Sequence, residues 1–481
     1  MISSYFREQK RYTLNGLSEK MACSEENVVP VIRKLKEFGI LKAVKSTELQ
    51  RDMSELLDED IEVADVEAGE NEYLYVFTFV GVIVVAGRVL KCYPKYLTGK
   101  EEPMEELRQV LKVLEKYNSG DQIIRMFNDS SEGSSFNLLA VFLFLLQDYY
   151  ENGIYSNTED IIESNGIGEI LWDKTINETF TMLSNNRPYY MDLQTKKRVT
   201  DDFDFFTRLH ECILTKVSKE MKEADLLDLF DLSEIELSDE ELDDLGDKDY
   251  ILYRIEKELN VQFNTRKQLV LKTVYAYVAN QGSLYDVDGL SLFGTNSFNL
   301  VWEGICSNIM DNQLQTKLGM LRLPVSLDSS YNSEMQLIDL IEKPLWTVTG
   351  MTAQNTLIPD IISITKINDK YQFIIFDAKY YTAQLDPGRQ PSGQPGIESI
   401  TKQYLYQLAY QKFIEDHNFS AVKNCFLMPA EGKEIVDKKT VHMDMFSKLG
   451  LQDIEVRFVP AEKAYEYYLS GRHFDISLLK L

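Results

Sequence analysis

The stretch LIPDIISITKINDKYQFIIFDAKYY, residues 357–381, reads as two strands around a tight turn. Residues 357–365 are apolar and β-branched, residues 371–379 form a second apolar run, and Asn368-Asp369 between them supply turn chemistry. A hairpin of this composition belongs inside a sheet, yet it carries Asp360, Asp377 and Lys379. Alternation along a strand puts Asp377 and Lys379 on one face and Phe376 and Ala378 on the other. Burying a charge is costly unless it is paired or binds a metal. Two carboxylates gathered near one point make a hard-cation site suited to Mg²⁺, with Mn²⁺ as a substitute. A lysine beside them orients a water or steadies charge on a phosphate. The residues alone leave two readings open: a metal site on a hairpin, or an edge hairpin with surface charges.

The order Pro359-Asp360, spacer, Asp377-Ala378-Lys379 resembles the core motif of the PD-(D/E)XK nucleases. That resemblance implies metal-dependent hydrolysis of a phosphodiester on a restriction-endonuclease-like α/β core. Upstream, Phe298, Val301, Trp302 and Ile305 make an apolar helical stripe and set Glu303 beside it. In such nucleases the first core helix often carries a glutamate that reaches the metal, and Glu303 is the matching position. A surface glutamate flanking a core tryptophan is the plain alternative. Downstream, residues 383–398 form a loop rich in Gly, Pro and Gln with Arg389 its only basic residue, placed to lie over DNA. Residues 399–414 then read as a helix with Gln403, Gln407 and Tyr410 near one side. The nucleases often carry Gln-x-x-x-Tyr there. Gln407-Leu408-Ala409-Tyr410 is one residue tighter, and the resemblance implies that Gln407 bonds a phosphate or a metal-bound water. Residues 424–428 and 454–459 read as further strands.

The wider chain resembles the LlaJI-type restriction endonuclease family, related to McrC. The resemblance rests on Gly294-Thr295-x-x-Phe298-x-x-Val301-Trp302-Glu303, on Gly168-Glu169, Trp172-Asp173 and Thr175-Ile176-Asn177, and on VGVIVVAGRVLKCYPKY with its closing Pro94-Lys95. It implies a DNA endonuclease subunit of a restriction or phage-defence system, acting on double-stranded DNA in an oligomeric assembly with an McrB-like AAA+ GTPase supplied by another chain. Under it, Asp360, Asp377, the Ala378 carbonyl and Glu303 hold Mg²⁺, and Lys379 positions the attacking water. Two other readings stay open: a non-cleaving assembly or GTPase-activating subunit, and a stand-alone DNA repair nuclease. No GxxxxGK[ST] loop occurs in the chain, so nucleotide hydrolysis comes from elsewhere.

Four regions are expected within a mixed α/β fold. Residues 1–45 resemble a winged helix-turn-helix, with Ser24 as an N-cap, Pro30 inside the second helix and Gly39 at its end. Arg33, Lys34 and Lys36 there face phosphates or, in the plainer reading, pack against protein. Residues 46–100 form a small β-rich region with Gly81 and Gly87 near turns, after an acidic loop-like or loosely helical stretch. Residues 101–285 are mainly helical, with Lys196-Lys197-Arg198 in a solvated turn and an acidic, mobile insertion at 222–249. Residues 286–481 are the nuclease domain.

At 481 residues there is length for two to four domains. The formal charge of −26 argues against broad independent binding to bare duplex. Residues 222–249 alone hold 13 acidic and 2 basic residues. The five cysteines are odd in number and lack metal-ligand spacing, as in a reducing compartment. The N-terminus lacks the apolar core of a signal peptide, and the longest apolar runs are too short to span a bilayer. A cytoplasmic protein without a membrane segment is the expectation.

Overall fold

The computed structural model describes residues 1–45, 73–127, 137–185, 187–200, 204–280, 282–286, 289–385, 387–388 and 390–481. The acidic stretch up to residue 70 and Arg389 lie outside them. The fold is mixed α/β, in two compact units. One unit is drawn from residues 2–127 and 292–481, the other from 137–291. No helix among the described residues is long and apolar enough to cross a membrane.

The first unit begins with β1 (Ile2–Arg7), β2 (Arg11–Tyr12), α1 (Leu14–Lys20), α2 (Glu25–Glu37), β3 (Leu41–Lys45), β4 (Tyr73–Phe77), β5 (Val80–Val85), β6 (Arg88–Tyr93) and α3 (Met104–Phe127). Strands β2 and β3 flank β4 antiparallel, under the α1–α2 pair. Thr13 caps α1 by accepting from Gly16 N–H at 3.0 Å. Ser24 stands at the start of α2 but makes no capping bond, and α2 runs through Pro30. Gly39 ends it at φ +66°. Strand β1, unread in the sequence, pairs parallel with β6. The N-terminal residues are therefore stitched into a second sheet, ordered β1-β6-β5 and continuing to a strand at residues 290–295.

Gly87 makes the β5–β6 turn with Ala86, at φ +69° and +48°. Gly81 does not mark a turn. It sits inside β5 at φ +142°, where a Cβ would stand 2.1 Å from the Phe293 carbonyl oxygen. Gly294 answers it at φ +156°, with Val80 O 2.2 Å from a Cβ. The two glycines let their backbones pass at a distance no side chain allows.

The second unit holds α4 (Leu138–Asn152), β7 (Thr158–Ser164), β8 (Glu169–Ile170), α5 (Trp172–Glu178), β9 (Thr181–Ser184), β10 (Arg187–Tyr190), β11 (Gln194–Thr200), α6 (Phe205–Glu223), α7 (Lys248–Leu259) and α8 (Thr265–Asn280). It is less uniformly helical than expected, because β7, β11 and β8 form a sheet of their own. Lys196-Lys197-Arg198 lies on β11 opposite Ile162, Ile161 and Asp160, not in a turn. Thr175 is buried and accepts from Gln194 N–H at 2.9 Å, while Trp172 is half exposed. The signature running from Gly168 to Asn177 thus includes a packing role. Arg266 grips Asp148 with two bonds of 2.9 and 2.7 Å.

The acidic stretch is laid down along α6 rather than forming a mobile insertion. Leu226, Leu229, Ile235 and Leu245 are buried. The amides of Ile235 and Leu237 donate to Ser218 Oγ at 2.8 Å and Thr215 Oγ1 at 3.0 Å. Leucines spaced between the acids supply the anchorage that charge alone does not.

The first unit resumes with β12 (Leu290–Thr295), α9 (Phe298–Ile309), β13 (Leu345–Trp346), β14 (Met351–Thr352), β15 (Ile361–Ile367), β16 (Lys370–Ala378), α10 (Ile397–Asp416), β17 (Ala421–Ala430), β18 (Val436–Val441), α11 (Asp444–Ser447), β19 (Ile454–Pro460) and α12 (Ala461–Ser470). Five strands make one sheet in the order β15-β16-β17-β19-β18. The hairpin β15–β16 is antiparallel, β16, β17 and β19 are mutually parallel, and β18 closes the edge antiparallel. α10 is the crossover from β16 to β17. α9 packs on β16, and α12 packs on α9 and α3. The expected boundary at 100/101 therefore falls elsewhere, because α3 belongs to the unit that contains this sheet.

Candidate active site

Asn368 and Asp369 take φ of +49° and +62° between Ile367 and Lys370, which face each other across the hairpin. This two-residue turn sets the register that brings residues 360 and 377 to the same end of the sheet. Phe373 and Ile375 of β16 pack into a cluster with Tyr406, Tyr410 and Phe413 of α10. Alternation then sends Asp377 and Lys379 to the α10 side. Ile374, Phe376 and Cys425 are fully buried as well, so the site opens from a rigid floor.

Asp377 is 3% exposed, and Lys379 Nζ lies 2.9 Å from its Oδ1. The ammonium is ion-paired with this buried carboxylate. Asp360 follows buried Pro359 into the start of β15. Its Oδ2 accepts from Ala378 N–H at 3.0 Å. Its own carbonyl takes the Asn312 amide at 2.9 Å, and Asn312 Oδ1 takes Ile362 N–H at 3.1 Å. Asp360 is thus pinned by the main chain of the very residue that sits between Asp377 and Lys379.

Burial pushes the Asp360 carboxyl up to about 9, helped by its hydrogen bond to Asp377 and by the charges of Asp377 and Glu303. Glu303, on α9, is half-buried and also raised, by burial first and then by Asp377, with Lys379 opposing. Burial would lower Lys379, but Asp377 and Asp360 outweigh it and raise the amine. Three acids therefore feel one another, with a single ammonium among them in this set. Trp302 fixes the helix that carries Glu303 by donating Nε1–H to Leu427 O at 3.1 Å.

This donor set suits a hard divalent cation. It offers carboxylate oxygens only, crowded enough to hold a proton where a metal would be welcome. Among the described residues no three acid, imidazole or thiol side chains already stand together as a finished cage.

Gln407 is elsewhere in the network. Its Oε1 accepts from Asn424 Nδ2 at 2.6 Å and from Gln452 N–H at 3.0 Å, so it ties α10 to the loop before β19. The residue of α10 that senses the acids is its neighbour Tyr406, raised by burial and then by Asp377, Asp360 and Glu303. Gln403, one turn earlier, donates to Ile375 O at 2.8 Å and keeps a buried, unpaired carbonyl oxygen. Neither was singled out in the sequence as a site residue. A tyrosine on an amphipathic helix carries no signal distinguishing it from core.

The LlaJI restriction endonuclease family matches residues 79–459. The type II restriction enzyme BsuMI component YdjA of Bacillus subtilis (strain 168) is 26% identical over 414 residues, spanning 83% of this chain and 82% of that protein. Among solved structures, a half-complex from the tetradecameric assembly of Thermococcus gammatolerans McrB AAA+ hexamers with bound McrC covers 98% of this chain and 99% of that chain, at 11% identity and a TM-score of 0.39. The cryo-EM structure of the Thermococcus gammatolerans McrBC complex covers 63% of this chain and 84% of that chain, at 13% identity and a TM-score of 0.25.

Proposed function

Because the chain belongs to the LlaJI restriction endonuclease family, we propose that it is the DNA-cleaving subunit of a restriction or phage-defence system, with residues 360, 377, 379 and 303 as its hydrolytic centre. The observation that carries this reading is the convergence of Asp360, Asp377, Lys379 and Glu303 on one end of a buried hairpin. Asp360, Asp377, the Ala378 carbonyl and Glu303 are the groups to hold a Mg²⁺ ion. When bound, the ion would supply Lewis-acid polarisation of the phosphate and a more acidic water.

The protein's own residues do the rest. The Ala378 amide orients Asp360, so its carboxylate is aimed before substrate arrives. Asp377 holds the Lys379 ammonium close, where it orients the attacking water or meets charge developing on the scissile phosphate. The apolar floor under Asp377 keeps these groups strongly coupled.

An McrB-like AAA+ GTPase on a separate chain completes the proposal. The chain has no phosphate-binding GxxxxGK[ST] loop, and its charge of −26 is poorly suited to gripping duplex alone. The Bacillus relative is itself described as a component of its restriction enzyme. Cleavage of double-stranded DNA by this assembly in Mg²⁺ should disappear with chelator and in Asp377→Ala, while the circular dichroism spectrum of the variant matches wild type. Undiminished cutting by a folded Asp377→Ala protein would remove this site from the reaction.

A further inference from the structure

Tyr380, the residue after Lys379, is held by groups hundreds of positions away. Its hydroxyl donates to Oε2 of Glu8, a carboxylate only 6% exposed just past β1. The same oxygen accepts the Lys95 backbone N–H at 3.2 Å, and the Tyr380 hydroxyl lies 3.3 Å from that N–H. The Lys95 ammonium stands 4.7 Å over the Tyr380 ring and donates to Gln9 Oε1 at 3.0 Å. Phe298, the first residue of α9, packs its ring 5.3 Å from Tyr380.

Lys379 is gripped from its other side as well. Its backbone N–H donates to Leu427 O at 2.9 Å, the carbonyl that also takes Trp302 Nε1–H. Trp302 meets the Tyr465 ring at 6.4 Å, and Tyr465 shares a 2.6 Å hydroxyl contact with Tyr96, next to Lys95. The two grips thus close into one network running from the N-terminal sheet to the strand end that bears Lys379.

A buried carboxylate is a costly way to fill space, and an apolar plug would pack at least as well. What it adds is direction: one orientation of the Tyr380 ring satisfies Glu8, and that ring is one peptide unit from Lys379. We propose that Glu8, Lys95 and Tyr380 are positioning residues for Lys379, so that the N-terminal β-strands form part of the catalytic apparatus. This rests on the nuclease reading for what Lys379 does, but not for whether it is held. It also gives Pro94-Lys95 a task, at the point where the chain leaves β6 to meet Tyr380.

The test uses the full chain with Tyr380→Phe, Glu8→Gln and their combination. Tyr380→Phe keeps the ring and deletes only the hydroxyl, so it serves even if Glu8→Gln fails to fold. Amide hydrogen exchange of residues 379–381 should quicken roughly tenfold in Tyr380→Phe while the rest of the sheet keeps its protection. In the complete assembly, the single-turnover cleavage rate should fall roughly 10- to 100-fold with DNA affinity unchanged. The double variant should lose little more than either single, as expected for one coupled unit. Unchanged exchange at 379–381 would overturn the tether whatever the cleavage result. A Lys379→Ala protein that still cuts would instead overturn the nuclease reading, with the exchange data still judging the tether.

Discussion

Burying the Asp360 carboxyl beside Asp377 costs stability. Asp360→Asn keeps an oxygen to accept from Ala378 N–H and removes a buried carboxyl that folding forces to hold a proton far above the usual carboxylate range. In chelator the variant should melt a few degrees higher than wild type, on the order of 2–4 °C, and it should not cleave DNA. A lower melting temperature would mean that the Asp360 carboxyl stabilises the fold.

A second residue-scale prediction concerns the other unit. His210 is 2% exposed, its Nδ1 accepts from Tyr155 N–H at 2.9 Å, and burial pushes the ring down to about 4. The folded ring is neutral, while the unfolded one protonates near 6.5. Stability from this residue is therefore present above 6.5 and lost as pH falls toward 4. At pH 5 the loss should be about 2 kcal/mol by urea unfolding. A His210→Asn protein should show a flatter slope between pH 6.5 and 5.

What was legible at this scale follows from contrast. Asp360, Asp377 and Lys379 stood out because charge in an apolar strand is anomalous. Gln407 and Gln403 are both buried amides on one helix face, and only the partners, Asn424 for one and Ile375 for the other, tell them apart. Tyr406 offered no contrast at all among the aromatic residues of α10.

At the scale of elements, the hairpin was legible because β-branched runs and Asn-Asp act locally. β1 and β18 were not. ISSYFR and VDKKTV lack a clear apolar alternation, and each is defined by a partner distant in sequence or at a sheet edge. The turn reading of Gly81 missed that glycine also serves close approach of two backbones. That contact makes a prediction. Gly294→Ala places a Cβ against Val80 O and into the φ region disfavoured for alanine. It should destabilise the protein by roughly 2–4 kcal/mol or abolish soluble expression. Wild-type stability for this variant would mean that β5 and β12 do not run this close.

At the scale of the molecule, composition limited the function more than it specified it. The acidity argued against a free-standing duplex clamp, and the same acids proved compatible with a packed segment because leucines are interleaved with them. Domain borders were the least legible feature. The N-terminal strands and α3 join a C-terminal sheet in one unit, and such long-range pairing leaves no mark in local composition.

The most direct test of the central claim is plasmid cleavage in Mg²⁺ by the full chain, supplied with the McrB-like GTPase proposed as its partner and GTP, for wild type and Lys379→Ala side by side. The account predicts cutting by wild type and a rate lower by roughly 10³-fold in the variant, with both proteins equally folded. Equal cutting by the two would contradict it.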